Sequence, residues 1–438
     1  MQKDKEMILV YTHKITARVN FIFRHIFNNL LQTDVKFTTK IEEFIAYNGG
    51  KFSYTPQALG DEFHIQSHPL LYQQGIKSNE IKVGKWHDVP IFFEVPDSDI
   101  PFDLFAASFY LLSRYEEYLP AQMDEHGRYD YKNSLLTQQK VLMQPLVEIW
   151  TDKLKLTLQH RFESLEFPER KFYFEPLINV SMARLYKHKA LWRYFFGSIN
   201  DFFHFRFRSF ILRNQVYLSG KKDPYDTFDE LLRLKKKYKH PLTFFHLLSS
   251  YSLFDHNISK NKSVYKNQIK YLADYADTGL LASYYALDDE DVIEKEVKFL
   301  ENTIHKPVQK IRAHFNRIRI PSTYQIYNDL ELKKDFSMGY NHKIGFRAGT
   351  SVPFPFYDIE NETETPLILH PVVISDIMLK HQYKFSYKKA MKTMIEQGEL
   401  IQKYGGHFYP VFYNSILSDT KEWRKWNDLY INTIKHFS

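Results

Sequence analysis

From Phe172 to Tyr413, short apolar runs alternate with longer stretches of helical periodicity, and that alternation limits what the chain can build. The apolar runs read as buried strands: Phe172 to Ile178, Leu242 to Leu247, Gly279 to Tyr284, Ile311 to Phe315, Ser337 to Tyr340, Leu367 to Val372 and His407 to Tyr413. Helix patterns separate them, among them Glu230 to Tyr238, Ile269 to Asp277, Asp288 to Ile304 and Tyr387 to Gln402. A strand that returns through a helix pairs parallel, so a mostly parallel sheet or barrel is expected. In such sheets the strand ends that lead into helices share one mouth, where chemistry is usually placed.

The first third reads differently. Met7 to Tyr11 is a strand, Thr16 to Leu31 an amphipathic helix (Val19, Phe21, Ile22, Ile26, Leu30), and Lys36 onward a strand with a Thr cap leading to a short helix. Phe52 to Tyr54 and Ile91 to Val95 read as strands, Phe102 to Tyr118 as a buried helix and Leu142 to Leu165 as a long one. The pattern changes at Phe167-Pro168, which predicts an α/β domain over 1–166 and a second domain over 167–438. Arg114-Tyr-Glu-Glu-Tyr118 reads as a helix end with one wetted side, and Asp124-Glu-His-Gly-Arg-Tyr-Asp130 as a surface turn.

Composition removes several classes. The chain has no cysteine, which excludes disulfides, thiolate metal sites and a cysteine nucleophile. Its net charge of +7 comes from dispersed lysines with no basic block, so nucleic-acid binding is not expected. Met1 to Glu6 is charged and Met7 to Tyr11 is too short for a signal sequence or a membrane span, so a cytoplasmic protein is expected. Aromatic residues at 17% read as a Phe/Tyr-rich core. The aromatic and basic stretch 191–213 has two readings: a peripheral contact with an anionic membrane, or an amphipathic insertion packing on its own barrel, the reading preferred here.

Five stretches carry a resemblance when taken in order: Phe105 to Tyr118, Asp223-Pro-Tyr-Asp-Thr-Phe-Asp229, Ile311-Arg-Ala-His-Phe315, Gly345-Phe-Arg-Ala-Gly-Thr350 and Tyr413-Asn-Ser-Ile-Leu-Ser418. With Phe167-Pro-Glu-Arg-Lys171 they resemble a polysaccharide deacetylase (NodB-like) protein with a family-specific N-terminal domain. The resemblance covers nearly the whole chain and implies a distorted (β/α) barrel preceded by a smaller α/β domain. It also implies a divalent metal such as zinc, a carboxylate base acting through metal-bound water, and an imidazole acid, together cleaving an N-acetyl amide on a glycan.

The chain departs from that pattern. Asn179 and Ser181 stand where the resemblance implies two aspartates, Leu281 where it implies a histidine, Ala282 for a proline, and Tyr413 for the acid histidine. Tyr285 is no imidazole either. Arg312 matches the arginine that pairs the catalytic carboxylate, Asp376 the group that tunes the acid; His314, Asp226, Arg347 and His370 match other positions. No metal or other cofactor is therefore expected. Arg312, having lost its carboxylate, is expected to pair with Asp376 or Asp226, or to await an anionic sugar.

Three functions follow from these residues. The leading one is a catalytically inactive or repurposed deacetylase-like protein that binds a glycan, through positions such as Asn179, Ser181, Asp226, Arg347, His370 and Tyr413, or binds a partner in surface-carbohydrate metabolism. The second is an active carbohydrate amide hydrolase with a displaced set, Arg312, His314, His370 and Asp376. The third is a structural assembly partner.

Overall fold

A computed structural model describes residues 7–189 and 191–438; the charged segment Met1 to Glu6, and Ala190 just ahead of the stretch 191–213, lie outside the described residues. Four strands open the chain: β1 (Met7–Tyr11), β2 (Asp34–Thr38), β3 (Lys51–Thr55) and β4 (His64–Gln66). They form a parallel sheet in the order β2-β1-β3-β4. An antiparallel pair, β5 (Val83–Trp86) and β6 (Val89–Phe92), follows.

The remaining strands are β7 (Tyr173–Phe174), β8 (Leu177–Val180), β9 (Thr243–Leu247), β10 (Asp277–Ala282), β11 (Lys310–Ala313), β12 (Lys334–Asp335), β13 (Phe354–Asp358), β14 (Thr363–Leu369), β15 (His407–Phe408) and β16 (Val411–Tyr413). Eight of them form one sheet, β13-β14-β12-β11-β10-β9-β8-β16, in which every pairing except β13 with β14 is parallel. The expected parallel arrangement is present, and the strand ends leading into the connecting segments lie on one side. The ladder itself does not close into the expected barrel: β13 and β16 are its edges, and β16 takes only an isolated bridge from Ser375.

Prolines account for two differences from the sequence reading. Phe172 to Ile178 and His407 to Tyr413 are each split in two, with Pro176 and Pro410 in the gaps, since proline cannot donate to a ladder. Ser337 to Tyr340 is a loop, because Ser337 turns back to Asp335 through both its backbone N–H (2.9 Å) and its hydroxyl (2.6 Å).

Two apolar clusters divide the packing. The larger runs from Ile8 to Phe437 and includes residues of both sheets and their helices. The smaller consists of Leu177, Phe245, Leu247, Leu281, Phe336, Val372, Tyr409 and Val411, on the opposite face of the large sheet, with Tyr413 packed against it. His246 points into the larger cluster, between Phe244 and Tyr265, and neither ring nitrogen has a hydrogen-bond partner. Burial lowers its pKa to about 3, so it is neutral there. His246→Leu is expected to stabilise the fold by about 1–3 kcal/mol, because it removes unsatisfied polar atoms and keeps the volume. A thermal midpoint that falls in this variant would contradict that account.

A stretch read as a wetted helix end and one of the motif stretches prove to be two sides of a joint. Arg114, in left-handed backbone (φ 54°), ends helix Leu104–Leu112 and is 1% exposed, so the wetted helix end expected at Arg114 to Tyr118 is corrected. Its guanidinium bonds Glu117 (2.8 Å) and Glu116 (2.6 Å), and Arg347 reaches the other Glu117 oxygen at 2.5 Å. Gly345 and Gly349, beside Arg347, have φ of +146° and +67°, and a Cβ on them would meet Leu142 at 2.5 Å and Leu111 at 2.7 Å. The Gly345 to Thr350 motif is therefore the strip on which the N-terminal segment docks.

Helices Leu191–Phe203 and Phe207–Leu218 form a hairpin in the β8-to-β9 connection. The preferred reading, an insertion packing its apolar face on its own barrel, is corrected: Trp192, Phe195, Phe196, Ile199, Phe202 and Phe203 are all exposed. No helix among the described residues is long and apolar enough to cross a membrane.

Candidate functional site

The strand ends bring together some of the residues singled out in the sequence and separate others. Register places Tyr413 beside Asn179, and Leu281 between Leu247 and Arg312. Asn179 is buried with its Oδ1 unpartnered, and its amide faces the Tyr413 hydroxyl. Burial raises the Tyr413 pKa, against the opposing pull of the Asn179 amide and the Arg312 guanidinium. Asp376 is fully buried and accepts the backbone N–H groups of Ile377 (2.6 Å) and Tyr413 (2.9 Å). Burial pushes its carboxyl up to about 7 despite those bonds. It holds the end of β16 in place.

Arg312 pairs with neither Asp376 nor Asp226, which corrects the expected pairing. Its guanidinium donates to the Phe336 carbonyl and, at 2.6 Å, to Asn316 Oδ1, while Nε is buried without a partner. Burial lowers its pKa to about 10. Asp226 instead faces Arg184 at 3.2 Å. Its neighbour Asp223 matters more locally, accepting the N–H groups of Leu185, Tyr186 and Lys187, each at 2.8 Å, in the loop after β8.

His314, just past β11, bonds Asp255 through Nδ1 at 2.9 Å. Asp255 is 1% exposed and was not singled out in the sequence, where it is one acid in a polar loop. His370 bonds the Tyr409 hydroxyl at 3.0 Å, lies over Phe336, and its Nε2 is buried and unpartnered. Burial holds it far below the usual imidazole range. His314, His370 and Asp376 thus have separate partners. Arg347 is committed to Glu117 and the Gly339 carbonyl. Ser181 and the 45% exposed Tyr285 enter no pairing around Arg312.

The metal implied by the resemblance does not fit these donors. Leu281 is fully buried in the smaller apolar cluster, Asn179 and Tyr413 carry no charge, and no group of three His, Asp or Glu suited to a metal occurs among the described residues.

Above this layer, the Asp124 to Asp130 turn lies on the strand ends, not out on a free surface. Arg128 bonds Asp124 (2.7 Å), the Phe315 carbonyl (2.7 Å) and His342 Nε2 (2.5 Å). Burial would raise the Asp124 carboxyl, but the Arg128 hydrogen bonds outweigh it and hold the pKa low. His126 bonds the Tyr284 hydroxyl at 2.9 Å. Phe315 and Asn316 follow one another in left-handed backbone, φ 61° and 50°, a costly conformation for phenylalanine that directs the Asn316 amide at Arg312. Between the turn and the loops after β11 and β12 lies a cleft of about 160 Å³, lined by Asp124, Arg128, Tyr131, Asn316, Asn341 and His342. Asn316, Tyr340 and Asn341 also line a cavity of about 10 Å³ that reaches Arg312 and Tyr413, room for a single water.

The geometry is that of an α/β protein with a mostly parallel eight-stranded sheet and a polar cleft over its strand ends. The family model of DUF7033, a family of unknown function, matches residues 8–163. No curated protein matches the chain. Among solved structures, a Mycobacterium smegmatis protein assigned as a polysaccharide deacetylase aligns with 62% of this chain and 86% of its own, at 12% identity and a TM-score of 0.39. An allantoinase aligns with 61% of this chain and 84% of its own, at 9% identity and a TM-score of 0.40. A CE4-family pseudoenzyme from Bacillus anthracis aligns with 63% and 66%, at 11% identity and a TM-score of 0.32. With each of these TM-scores below 0.5, none of the three likenesses assigns a function or a shared site.

Proposed function

We propose that this is a deacetylase-like protein, divided near 166/167 into an α/β N-terminal domain and a distorted barrel domain, that binds a glycan without hydrolysing it. The observation that carries the reading is the substitution of chemistry by packing at the strand ends. Leu281 sits in hydrocarbon and Asn179 faces Tyr413, while the cleft above keeps planar polar groups and the tyrosines that suit sugar hydroxyls and ring faces. Arg312 lies beneath the cleft, where its bond to Asn316 Oδ1 fixes one of the polar side chains that line it.

Titration calorimetry against neutral and uronate-containing oligosaccharides, with acetate release from N-acetylglucosamine oligomers measured in parallel, tests this reading. Wild type is expected to bind and to release no acetate above background. Tyr131→Ala and Asn341→Ala are expected to weaken binding about tenfold each, the scale of one lost hydrogen bond or ring contact. Arg312→Met is expected to weaken binding of neutral and acidic sugars alike, because it frees the Asn316 side chain that lines the cleft. Turnover by wild type that is lost in His314→Ala would favour a second reading, a hydrolase built on the Asp255–His314 pair, whose imidazole is oriented by a buried carboxylate as in general bases.

A further inference from the structure

The helical hairpin 191–218 is built inside out. In its first helix the apolar residues Trp192, Phe195, Phe196, Ile199, Phe202 and Phe203 follow the i, i+3, i+4, i+7 spacing of one helix face, the stripe a globular protein buries. Here that stripe faces outward: each of the six is at least half exposed, and Phe205 at the tip is 79% exposed. Phe207, Ile211 and Leu218 continue it on the second helix. The polar side is what joins the two helices, through Asp201–Arg213 at 2.8 Å and Tyr194–Asn214 at 2.5 Å. Tyr217 ties the hairpin to the Tyr186 carbonyl at 2.8 Å, and Arg193 lies 3.5 Å over the Tyr251 ring. The outward face is therefore the designed one, held from behind.

We infer that this hairpin docks the protein on an anionic lipid surface, its exposed aromatic stripe entering the interface and Arg206 and Arg208 meeting lipid phosphates. Charge supports the choice of occupant. The hairpin carries Arg193, Arg206, Arg208 and Arg213 against one acid, Asp201, which Arg213 occupies. Arg206 and Arg208 are exposed, and neither has an ion pair among the described residues. They alternate with Phe205 and Phe207 at the hairpin's tip, which gives it the mixture of rings and guanidiniums that interfacial segments use. A second copy of the chain fits poorly, since a two-fold contact would set this cationic tip against itself. The hairpin leaves the sheet from the end of β8, the side that carries the cleft, so docking would turn the cleft toward the membrane.

Co-sedimentation of the full chain with phosphatidylglycerol/phosphatidylcholine vesicles and with pure phosphatidylcholine vesicles tests this directly, with tryptophan fluorescence, compared between wild type and Trp192→Phe, as a second readout. Wild type is expected to pellet with the anionic vesicles and to shift its emission to the blue. The double substitution Phe203→Ser, Phe205→Ser is expected to lower partitioning at least about tenfold. Arg206→Ser with Arg208→Ser is expected to abolish the preference for anionic lipid. All four side chains are exposed, so unchanged circular dichroism and thermal midpoint confirm that the variants fold. No pelleting by wild type at low salt, or pelleting unaltered in both variants, would overturn the inference. So would a wild-type dimer made monomeric by the Phe substitutions without vesicle binding, which would make the face a contact between copies. Glycan binding in the cleft is read separately, so the two proposals fail independently.

Discussion

Glu117→Ala is expected to lower the stability of the folded chain by about 3–5 kcal/mol, enough to shift the urea midpoint plainly or to prevent soluble expression. Glu117 accepts from Arg114 at 2.8 Å and from Arg347 at 2.5 Å, and all three side chains are almost wholly buried. Removing the carboxylate leaves the Arg347 guanidinium with the Gly339 carbonyl as its hydrogen-bond acceptor, and Arg114 with Glu116 as its one carboxylate beside the Arg347 carbonyl and the Tyr340 hydroxyl. Burial by itself would raise the Glu117 carboxyl; the Arg347 and Arg114 guanidiniums outweigh it and hold the pKa below its ordinary value of 4.5. The sign for pH follows. A depressed folded pKa contributes stability that is present above about pH 4.5 and is lost as pH falls through the lower folded value. Wild type should therefore lose stability in acid faster than Glu117→Gln, which has no such titration. An unfolding midpoint in Glu117→Ala within about 1 kcal/mol of wild type would show that the joint contributes little.

The second large effect concerns Leu281. Leu281→His should destabilise by about 2–4 kcal/mol, because it removes packing from the smaller apolar cluster and leaves ring nitrogens without partners. For the same reason the fourfold variant Asn179→Asp, Ser181→Asp, Leu281→His, Tyr413→His should not acquire tightly held zinc. The new donors would open onto Leu247, Phe245 and Phe336 instead of a polar layer. Thermal melting and metal content after dialysis check both statements. Near-equimolar zinc at an unchanged midpoint would mean that the strand ends are an intact metal cradle lacking only its donors.

The sequence by itself determined the parallel sheet, because apolar runs separated by helices have no other economical pairing, and six of the runs contain a paired strand of it. It also exposed the missing chemistry, since residue type alone decides that Asn179, Leu281 and Tyr413 are poor donors. What it could not carry is the partner across long chain separation. Arg114 and Arg347 are 233 residues apart, and only folding shows that both belong to a joint around Glu117. Asp255 is an ordinary loop acid until His314, 59 residues on, is placed against it. The Asp124 to Asp130 turn has the composition of a free surface, and tertiary packing makes it one wall of the cleft. The aromatic stripe at 191–203 marks the sharpest limit. Periodicity shows that a helix has an apolar face, while the direction of that face depends on which side finds partners, and here Asp201, Tyr194 and Tyr217 turn the polar side inward and leave the rings outside.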